Sequence, residues 1–108
     1  MHVGLHTRLK AGMEERYDEA HRAVWPEVLA AMRAAGIRSW RIWRDGLDVF
    51  HAIDVDDYDA AIAQLAGLEV NQRWQAAMAP MMAVAHDYSG DASDRLPLIF
   101  DLDRPPQV

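Results

Sequence analysis

Pro26 interrupts a helical pattern near the start of the chain, and this break constrains the fold more than any other feature. Residues 17–27 read Tyr-Asp-Glu-Ala-His-Arg-Ala-Val-Trp-Pro-Glu. Proline lacks an N–H and disfavours helical geometry at the residue before it, which is Trp25. The pattern therefore predicts one helix that ends near His21 or Arg22, a corner, and a second helix with Pro26 in its first turn.

Alternating hydrophobicity predicts strands on both sides of this bent helix. Residues 2–9 alternate, and the predicted buried face carries Val3, Leu5 and Leu9. Residues 37–44 are rich in β-branched and aromatic side chains, which favours a second strand. An Asp45-Gly46 turn then predicts a hairpin into a third strand at residues 49–55, antiparallel to the second.

The remaining chain predicts a broken helix and a last strand. Asp57 is a candidate helix N-cap, and Gly67 interrupts the helical pattern that follows it. The predicted segments are a helix at 58–65, a helix at 69–82 bent late by Pro80, a polar loop at 88–94, an edge strand at 96–100 and an extended arm at 104–108.

The resulting order is strand, bent helix, two strands, broken helix, strand. It predicts an α+β fold of the ferredoxin-like split β-α-β type, with a four-stranded antiparallel sheet and helices on one face. We expect a single domain over residues 1–108. Because one face of such a sheet has no helices, we also expect a second copy of the chain to cover it, as a homodimer.

Composition excludes several classes of function. The chain has 108 residues, a net charge of −6 and no cysteine. The acidic balance argues against nucleic acid as a partner, and the lack of cysteine removes disulfides, thiolate catalysis and zinc–thiolate sites. No stretch reaches the roughly 20 apolar residues of a membrane span, and no signal peptide is visible, so we expect a cytoplasmic protein that does not bind membranes.

The five histidines do not predict a metal site. They are His2, His6, His21, His51 and His86. A metal would need two or three converging side chains with carboxylates nearby, and His2 and His6 lie too far apart along one strand. We interpret His51, inside the apolar third strand, as a hydrogen-bonded packing residue. We expect no metal and no cofactor.

His21 is the strongest candidate for chemistry. Tyr17 lies one helical turn before it, and Trp25 lies just beyond the corner. An imidazole can exchange a proton near neutral pH, and a helix end beside a corner can face a cavity. On local spacing alone, a half-exposed histidine beside a core tyrosine remains the alternative.

Aromatic side chains form the second candidate cluster. The four tryptophans are Trp25, Trp40, Trp43 and Trp74. Core packing accounts for some of them, but an indole also offers a flat apolar surface and an N–H that suit a neutral sugar. Trp40 and Trp43 should point to opposite sheet faces. Trp74 and the adjacent Gln75 could present a ring and an amide to one ligand, or lie on a solvated helix face.

Together these motifs resemble the L-rhamnose mutarotase family. The resemblance rests on residues 9–17, the pattern Y-x-x-x-H-x-x-x-W-P-E from Tyr17 to Glu27, residues 35–37, residues 71–74 and the closing Leu-Ile-Phe-Asp-Leu at 98–102. It covers nearly the whole chain, and its tyrosine–histidine–tryptophan core is the specific part.

The resemblance implies a dimeric α+β barrel that interconverts the α and β anomers of a 6-deoxyhexose without a cofactor. It implies that His21 is the catalytic proton donor and that Tyr17, Trp40, Trp74 and Gln75 contact the sugar. Family members that act on rhamnose often have tyrosine at the Trp40 position and tryptophan at the Gln75 position, so L-fucose or another deoxysugar stays open. The alternatives are a cofactor-independent oxygenase of the same fold and a non-catalytic small-ligand binding module.

Overall fold

The computed structural model describes residues 1–90 and 93–104. No helix in that part of the chain has the length and apolar character needed to cross a bilayer. The elements, in order, are β1 His2–Leu9, α1 Glu14–His21, α2 Pro26–Ala34, β2 Ile37–Asp45, β3 Asp48–Val55, α3 Tyr58–Ala66, α4 Glu69–Met78, β4 Met82–Val84 and β5 Arg95–Leu96.

The strands form one antiparallel sheet in the order β2-β3-β1-β4. The short β5 also pairs with β1, so β4 and β5 follow one another along the same edge of that strand. Gly46 adopts φ +60° in the tight turn between β2 and β3, as the Asp-Gly pattern predicted. The expected ferredoxin-like α+β fold with an antiparallel sheet is confirmed. Within the described residues the sheet has five strands rather than the four predicted, because two short strands, β4 and β5, share the edge of β1.

The helices pack on the sheet face that carries the alternating apolar residues of β1 and β3. One core group joins Leu5 and Ile53 to α3, and a second joins Leu9 and Val49 to α1, α2 and α4. A register shift between Ile37 and Ser39 brings Trp40 onto this inner face together with Ile37, although the two lie three positions apart, an odd spacing that would otherwise put them on opposite faces. The predicted burial of Val3, Leu5 and Leu9 is confirmed.

The predicted corner is present where proline required it. α1 ends at His21, and Trp25 has ψ 133°, so the chain leaves helical geometry immediately before Pro26. Pro26 then occupies the first turn of α2, where its missing N–H removes no helical hydrogen bond. This corner leaves His21 as the last residue of α1.

Two C-terminal predictions were wrong. The helix predicted for 69–82 ends at Met78, because a 3₁₀ turn at Ala79–Met81 turns the chain into β4. The strand predicted for 96–100 is limited to Arg95–Leu96, since Pro97 has no N–H to continue the ladder. Most of the predicted arm, residues 105–108, lies outside the described residues.

The outer sheet face and the C-terminal segment expose apolar side chains. Trp43 is 56% exposed and Phe50, paired with it across β2 and β3, is 39% exposed. The segment after Pro97 exposes Leu98, Ile99, Phe100 and Leu102. Trp43 and Trp40 lie on opposite faces, as predicted.

Candidate active site

A cavity of about 370 Å³ lies between the inner sheet face and the helices. Its volume falls within the ordinary range of small-ligand sites. All five site residues predicted from the sequence reach it, because α1, α4 and the bulged β2 converge there. Its lining is Thr7, Tyr17, His21, Val24, Leu29, Met32, Trp40, Ile42, His51, Trp74, Gln75, Met78, Met82, His86 and Tyr88.

The first of two ring clusters in this cavity is built on the end of α1. The His21 and Tyr17 rings lie 4.2 Å apart between centroids, and Trp74 approaches His21 edge-on at 5.8 Å. Trp25, at the corner, packs edge-on against Trp74 at 5.0 Å and supports it. The helix end, the corner and α4 thus hold one imidazole against two aromatic rings, with Trp25 packed on the second of them.

The orientation of His21 is set by the backbone of its own helix. Its Nδ1 lies 2.9 Å from the Tyr17 carbonyl oxygen, which can only accept a hydrogen bond, so Nδ1 carries the proton. Within the described residues, Nε2 of His21 has no hydrogen-bond partner. It is therefore the nitrogen that can take or give a proton.

The Tyr17 phenol remains protonated under ordinary conditions. Burial raises its pKa to about 12, and the nearby Asp18 carboxylate adds to the effect. No residue in the described part of the chain hydrogen-bonds this hydroxyl. A protonated phenol beside His21 is suited to donate to a ligand oxygen.

The second ring cluster consists of Trp40, His51, His86 and Tyr88. The Trp40 ring lies 5.4 Å from His86, which lies 4.3 Å from Tyr88. Trp40 Nε1–H donates to His51 Nδ1 at 3.1 Å, and His51 Nε2 lies 2.9 Å from Thr7 Oγ1. The interpretation of His51 as a buried, hydrogen-bonded residue is confirmed, but it also borders the cavity.

Burial keeps both histidines of this cluster neutral. The pKa of His51 is lowered to about 4, mainly by desolvation and to a lesser degree by the proximity of His86. Desolvation likewise lowers the pKa of His86 to about 4, with Asp87 opposing the shift. His86 Nε2 lies 3.3 Å from the Tyr58 hydroxyl and 3.8 Å from an Asp94 oxygen.

Gln75 links the two sides of the cavity. Its Nε2 donates to the Tyr88 hydroxyl at 3.4 Å, and its neighbour Trp74 belongs to the first cluster. Burial raises the pKa of Tyr88 above its ordinary value, so this phenol also stays protonated. The predicted pairing of a ring and an amide at one site agrees with this geometry.

The cavity lining contains no lysine, arginine, aspartate or glutamate among the described residues. A second depression beside His21 is different, because the Asp18 carboxylate there receives two hydrogen bonds from Arg44, at 2.9 and 2.7 Å. That pairing lowers the pKa of Asp18. No three histidine or carboxylate side chains of the described residues converge to hold a metal. The cavity suits a neutral, hydroxyl-rich ligand better than an ion.

His86, Tyr88 and Thr7 were not predicted from the sequence. His86 and Tyr88 belong to the segment between β4 and β5, of which the sequence predicted only the polar loop at 88–94, beginning with Tyr88. Thr7 occupies a buried position of β1 on the same face as Leu5 and Leu9, and no role was predicted for it. A polar residue at a predicted inward position was the one available signal.

Fold and cavity together define a class of protein. A ferredoxin-like sheet that encloses a neutral, ring-lined cavity with one open imidazole is suited to acid–base chemistry on a small uncharged molecule. The fold alone would not distinguish among activities. It is shared with a tetracenomycin F2 cyclase from Streptomyces glaucescens, at 18% identity and a TM-score of 0.58 over 97% of this chain and 99% of that one.

The chain belongs to the L-rhamnose mutarotase family. The model of that family matches residues 2–102. An L-rhamnose mutarotase of Burkholderia orbicola is 40% identical over 87 residues, 79% of this chain and 83% of its own. One from Bacteroides thetaiotaomicron is 31% identical over 96 residues, 88% of this chain and 91% of its own. The family resemblance and the prediction of an isomerase are thereby confirmed.

A solved structure agrees with this assignment. The crystal structure of an L-rhamnose mutarotase from Formosa agariphila matches with a TM-score of 0.78 and 25% identity, covering 94% of this chain and 98% of that one. A putative antibiotic biosynthesis monooxygenase from Nitrosomonas europaea reaches a TM-score of 0.57 at 19% identity, over 79% of this chain and 90% of that one, which shows the shared fold alone.

Proposed function

We propose that this chain interconverts the α and β anomers of L-rhamnose or a closely related 6-deoxyhexose. The observation that carries the proposal is the open Nε2 of His21 inside a cavity whose lining has no formal charge from acidic or basic side chains. A pyranose has apolar C–H surfaces and several hydroxyls, and indole and phenol rings complement both. Family membership supports the same reaction.

Anomer exchange requires the C1–O5 bond to break and re-form, with proton transfers and one bond rotation. In ring opening the C1–O5 bond breaks as an acid gives a proton to O5 and a base takes the proton of the O1 hydroxyl, which yields the aldehyde. Rotation about C1–C2 and the reverse transfers then close the ring on the other face. The proton balance is zero over a full cycle, so the reaction consumes no co-reactant.

In this proposal His21 carries out one of the two transfers. Because Nδ1–H is held by the Tyr17 carbonyl, the proton that His21 exchanges is the one on Nε2. His21 therefore donates to the ring oxygen from its doubly protonated form during opening and recovers that proton on closure. General acid–base catalysis of this kind contributes about 10²–10⁴-fold to a rate. Tyr17 donates its phenolic proton in a hydrogen bond to a sugar oxygen, and the open aldehyde keeps room to rotate between the ring clusters.

Trp40, Trp74 and Gln75 complete the proposed sugar contacts. Trp40 and Trp74 belong to different ring clusters, so a pyranose between them would contact an aromatic ring on each side. Gln75 is hydrogen-bonded to Tyr88, which leaves its carbonyl oxygen to accept from a sugar hydroxyl. These roles place the polar contacts around the ring edge.

The test is magnetisation-exchange NMR of the anomeric protons of L-rhamnose and L-fucose. We expect the wild-type chain to accelerate exchange, and we expect His21→Gln to reduce the catalysed rate by about 10²–10⁴-fold while retaining sugar binding. His2→Gln, at an exposed position of β1, serves as the matched control and should leave the rate unchanged. An undiminished rate in His21→Gln would remove this residue from the mechanism.

The two alternative functions give different signals in the same samples. An oxygenase would consume oxygen with a phenolic substrate and would not exchange anomers. A binding module would shift the sugar resonances without accelerating exchange.

We also propose that the enzyme is a homodimer formed through the outer sheet face. Trp43 and Phe50 on that face and the apolar segment Leu98–Leu102 are exposed in the single chain, and patches of this kind mark interfaces. Light scattering coupled to size exclusion should give twice the chain mass. Trp43→Glu should yield monomer, whereas Arg16→Glu on exposed α1 should not; a monomeric wild type would contradict the proposal.

We propose further that the chain acts as one domain in the cytoplasm. The family model spans residues 2–102 without interruption, which supports a single unit. Single-step unfolding by two probes and fractionation of the native host would test the two parts separately.

A further inference from the structure

A polar chain of three residues crosses the inner face of the sheet beneath the cavity. It runs from Trp40 on β2 through His51 on β3 to Thr7 on β1, with contacts of 3.1 and 2.9 Å. All three residues border the cavity, and Thr7 is only 1% exposed. The two apolar neighbours of Thr7 on this face, Leu5 and Leu9, are also buried, so a hydroxyl between them needs a specific reason.

The direction of every hydrogen bond in this chain is determined. An indole N–H can only donate, so His51 Nδ1 accepts and has no proton. The neutral imidazole must then carry its proton on Nε2, which donates to Thr7 Oγ1. Thr7 thereby has one lone pair occupied, and its own O–H has no acceptor among the described residues.

Burial prevents this arrangement from reversing near neutral pH. The pKa of His51 is lowered to about 4, mainly by desolvation. A protonated His51 would present N–H groups to both partners and would repel the Trp40 N–H. The neutral form with the proton on Nε2 is thus the working state.

We propose that Thr7 is a substrate-binding residue whose hydroxyl donates a hydrogen bond to a sugar oxygen, and that His51 is the positioning residue that fixes this direction. The proposal rests on the proposed function for the identity of the ligand. It also changes the role expected for Trp40. Its N–H is occupied by His51, so Trp40 offers the sugar its ring face only.

The test compares sugar binding and anomer exchange in Thr7→Val and Thr7→Ser. Valine matches threonine in shape and removes the donor, whereas serine keeps it. Loss of one hydrogen bond should weaken binding about three- to tenfold in Thr7→Val, and Thr7→Ser should restore affinity. Wild-type affinity in Thr7→Val would overturn the proposal, whatever its thermal stability.

A double-mutant cycle and a spectroscopic readout separate positioning from simple packing. If His51 acts through Thr7, His51→Gln should weaken binding in the wild-type background and have no further effect in Thr7→Val. Imidazole ¹⁵N shifts should show the proton of His51 on Nε2 at pH 7. Independent losses in the cycle, or a proton on Nδ1, would overturn the positioning role.

These experiments let the Thr7 contact and the proposed mutarotase activity fail separately. If the wild type binds the sugar without catalysing exchange, and Thr7→Val weakens that binding, the Thr7 contact is supported and the mutarotase activity is refuted. Exchange that is indifferent to Thr7→Val refutes only the Thr7 contact. If no deoxysugar binds the wild type, both proposals fail.

Discussion

Lowering the pH from 7 to 5 should destabilise the folded chain through two buried histidines. His51 and His86 each have a pKa of about 4 in the folded state, against an ordinary value of 6.5, because burial disfavours the charged ring. The unfolded chain therefore binds protons below about pH 6.5 that the folded chain does not bind until about pH 4. Stability is complete above that window and falls as the pH decreases through it.

The magnitude follows from the two pKa values of each ring. At pH 5 the unfolded state gains about 2 kcal/mol per histidine, or about 4 kcal/mol for the pair, from proton uptake that the native state lacks. A domain of this size has a free energy of unfolding of about 5–15 kcal/mol. The loss is thus a large fraction of the total.

Urea denaturation at pH 7, 6 and 5, followed by tryptophan fluorescence, measures this loss directly. His86→Phe, which keeps a ring against Trp40 and Tyr88, should reduce the pH dependence by about half. A free energy of unfolding at pH 5 within about 1 kcal/mol of its pH 7 value would refute the reasoning. So would an NMR titration that shows either ring protonated at pH 6.

Four further predictions concern stability and can be checked by thermal and urea unfolding. Gly36→Ala should lower the free energy of unfolding by about 1 kcal/mol or more, because Gly36 has φ +92° and an added Cβ would lie 3.3 Å from a carboxylate oxygen of Asp56. Gly67→Ala is the control and should cause no such loss, because Gly67 has φ −85°. Asp57→Ala removes the side-chain cap of α3 and should cost about 1 kcal/mol. Leu5→Ala, at a fully buried position, should cost about 2–5 kcal/mol. Asp87 accepts hydrogen bonds from Ser89 and Ser93 that lower its pKa, so its contribution should be present above about pH 4 and lost only below it.

The first half of the fold was predictable because its signals are local. The proline corner, the Asp-Gly turn and the alternation of β1 each act over a few residues, and the structure has all three where they were predicted. β4 was missed for the opposite reason. It has three residues, follows a helix whose methionines continue a helical pattern, and is defined by pairing with the distant Arg8 and Leu9.

The same distinction applies to the candidate site. Tyr17, His21, Trp74 and Gln75 lie on helices whose spacing or adjacency indicates a shared position. The segment that carries His86 and Tyr88 is held by hydrogen bonds of Asp87 N–H to Asp94 and of Gln75 to the Tyr88 hydroxyl. Such contacts join residues 7 and 13 positions apart in irregular structure, where no periodicity indicates which side chains point inward.

The hydrogen bond from His21 Nδ1–H goes to the main-chain carbonyl of Tyr17 and not to its side chain. The position of the proton on the imidazole is therefore independent of the side chain at position 17. If another aromatic residue replaced Tyr17, the main-chain carbonyl would still accept from Nδ1–H and would leave Nε2 as the nitrogen that exchanges protons. A different ring at position 17 would therefore change the proposed sugar contact and leave the proton of His21 on Nδ1, provided that the last turn of α1 keeps its helical geometry.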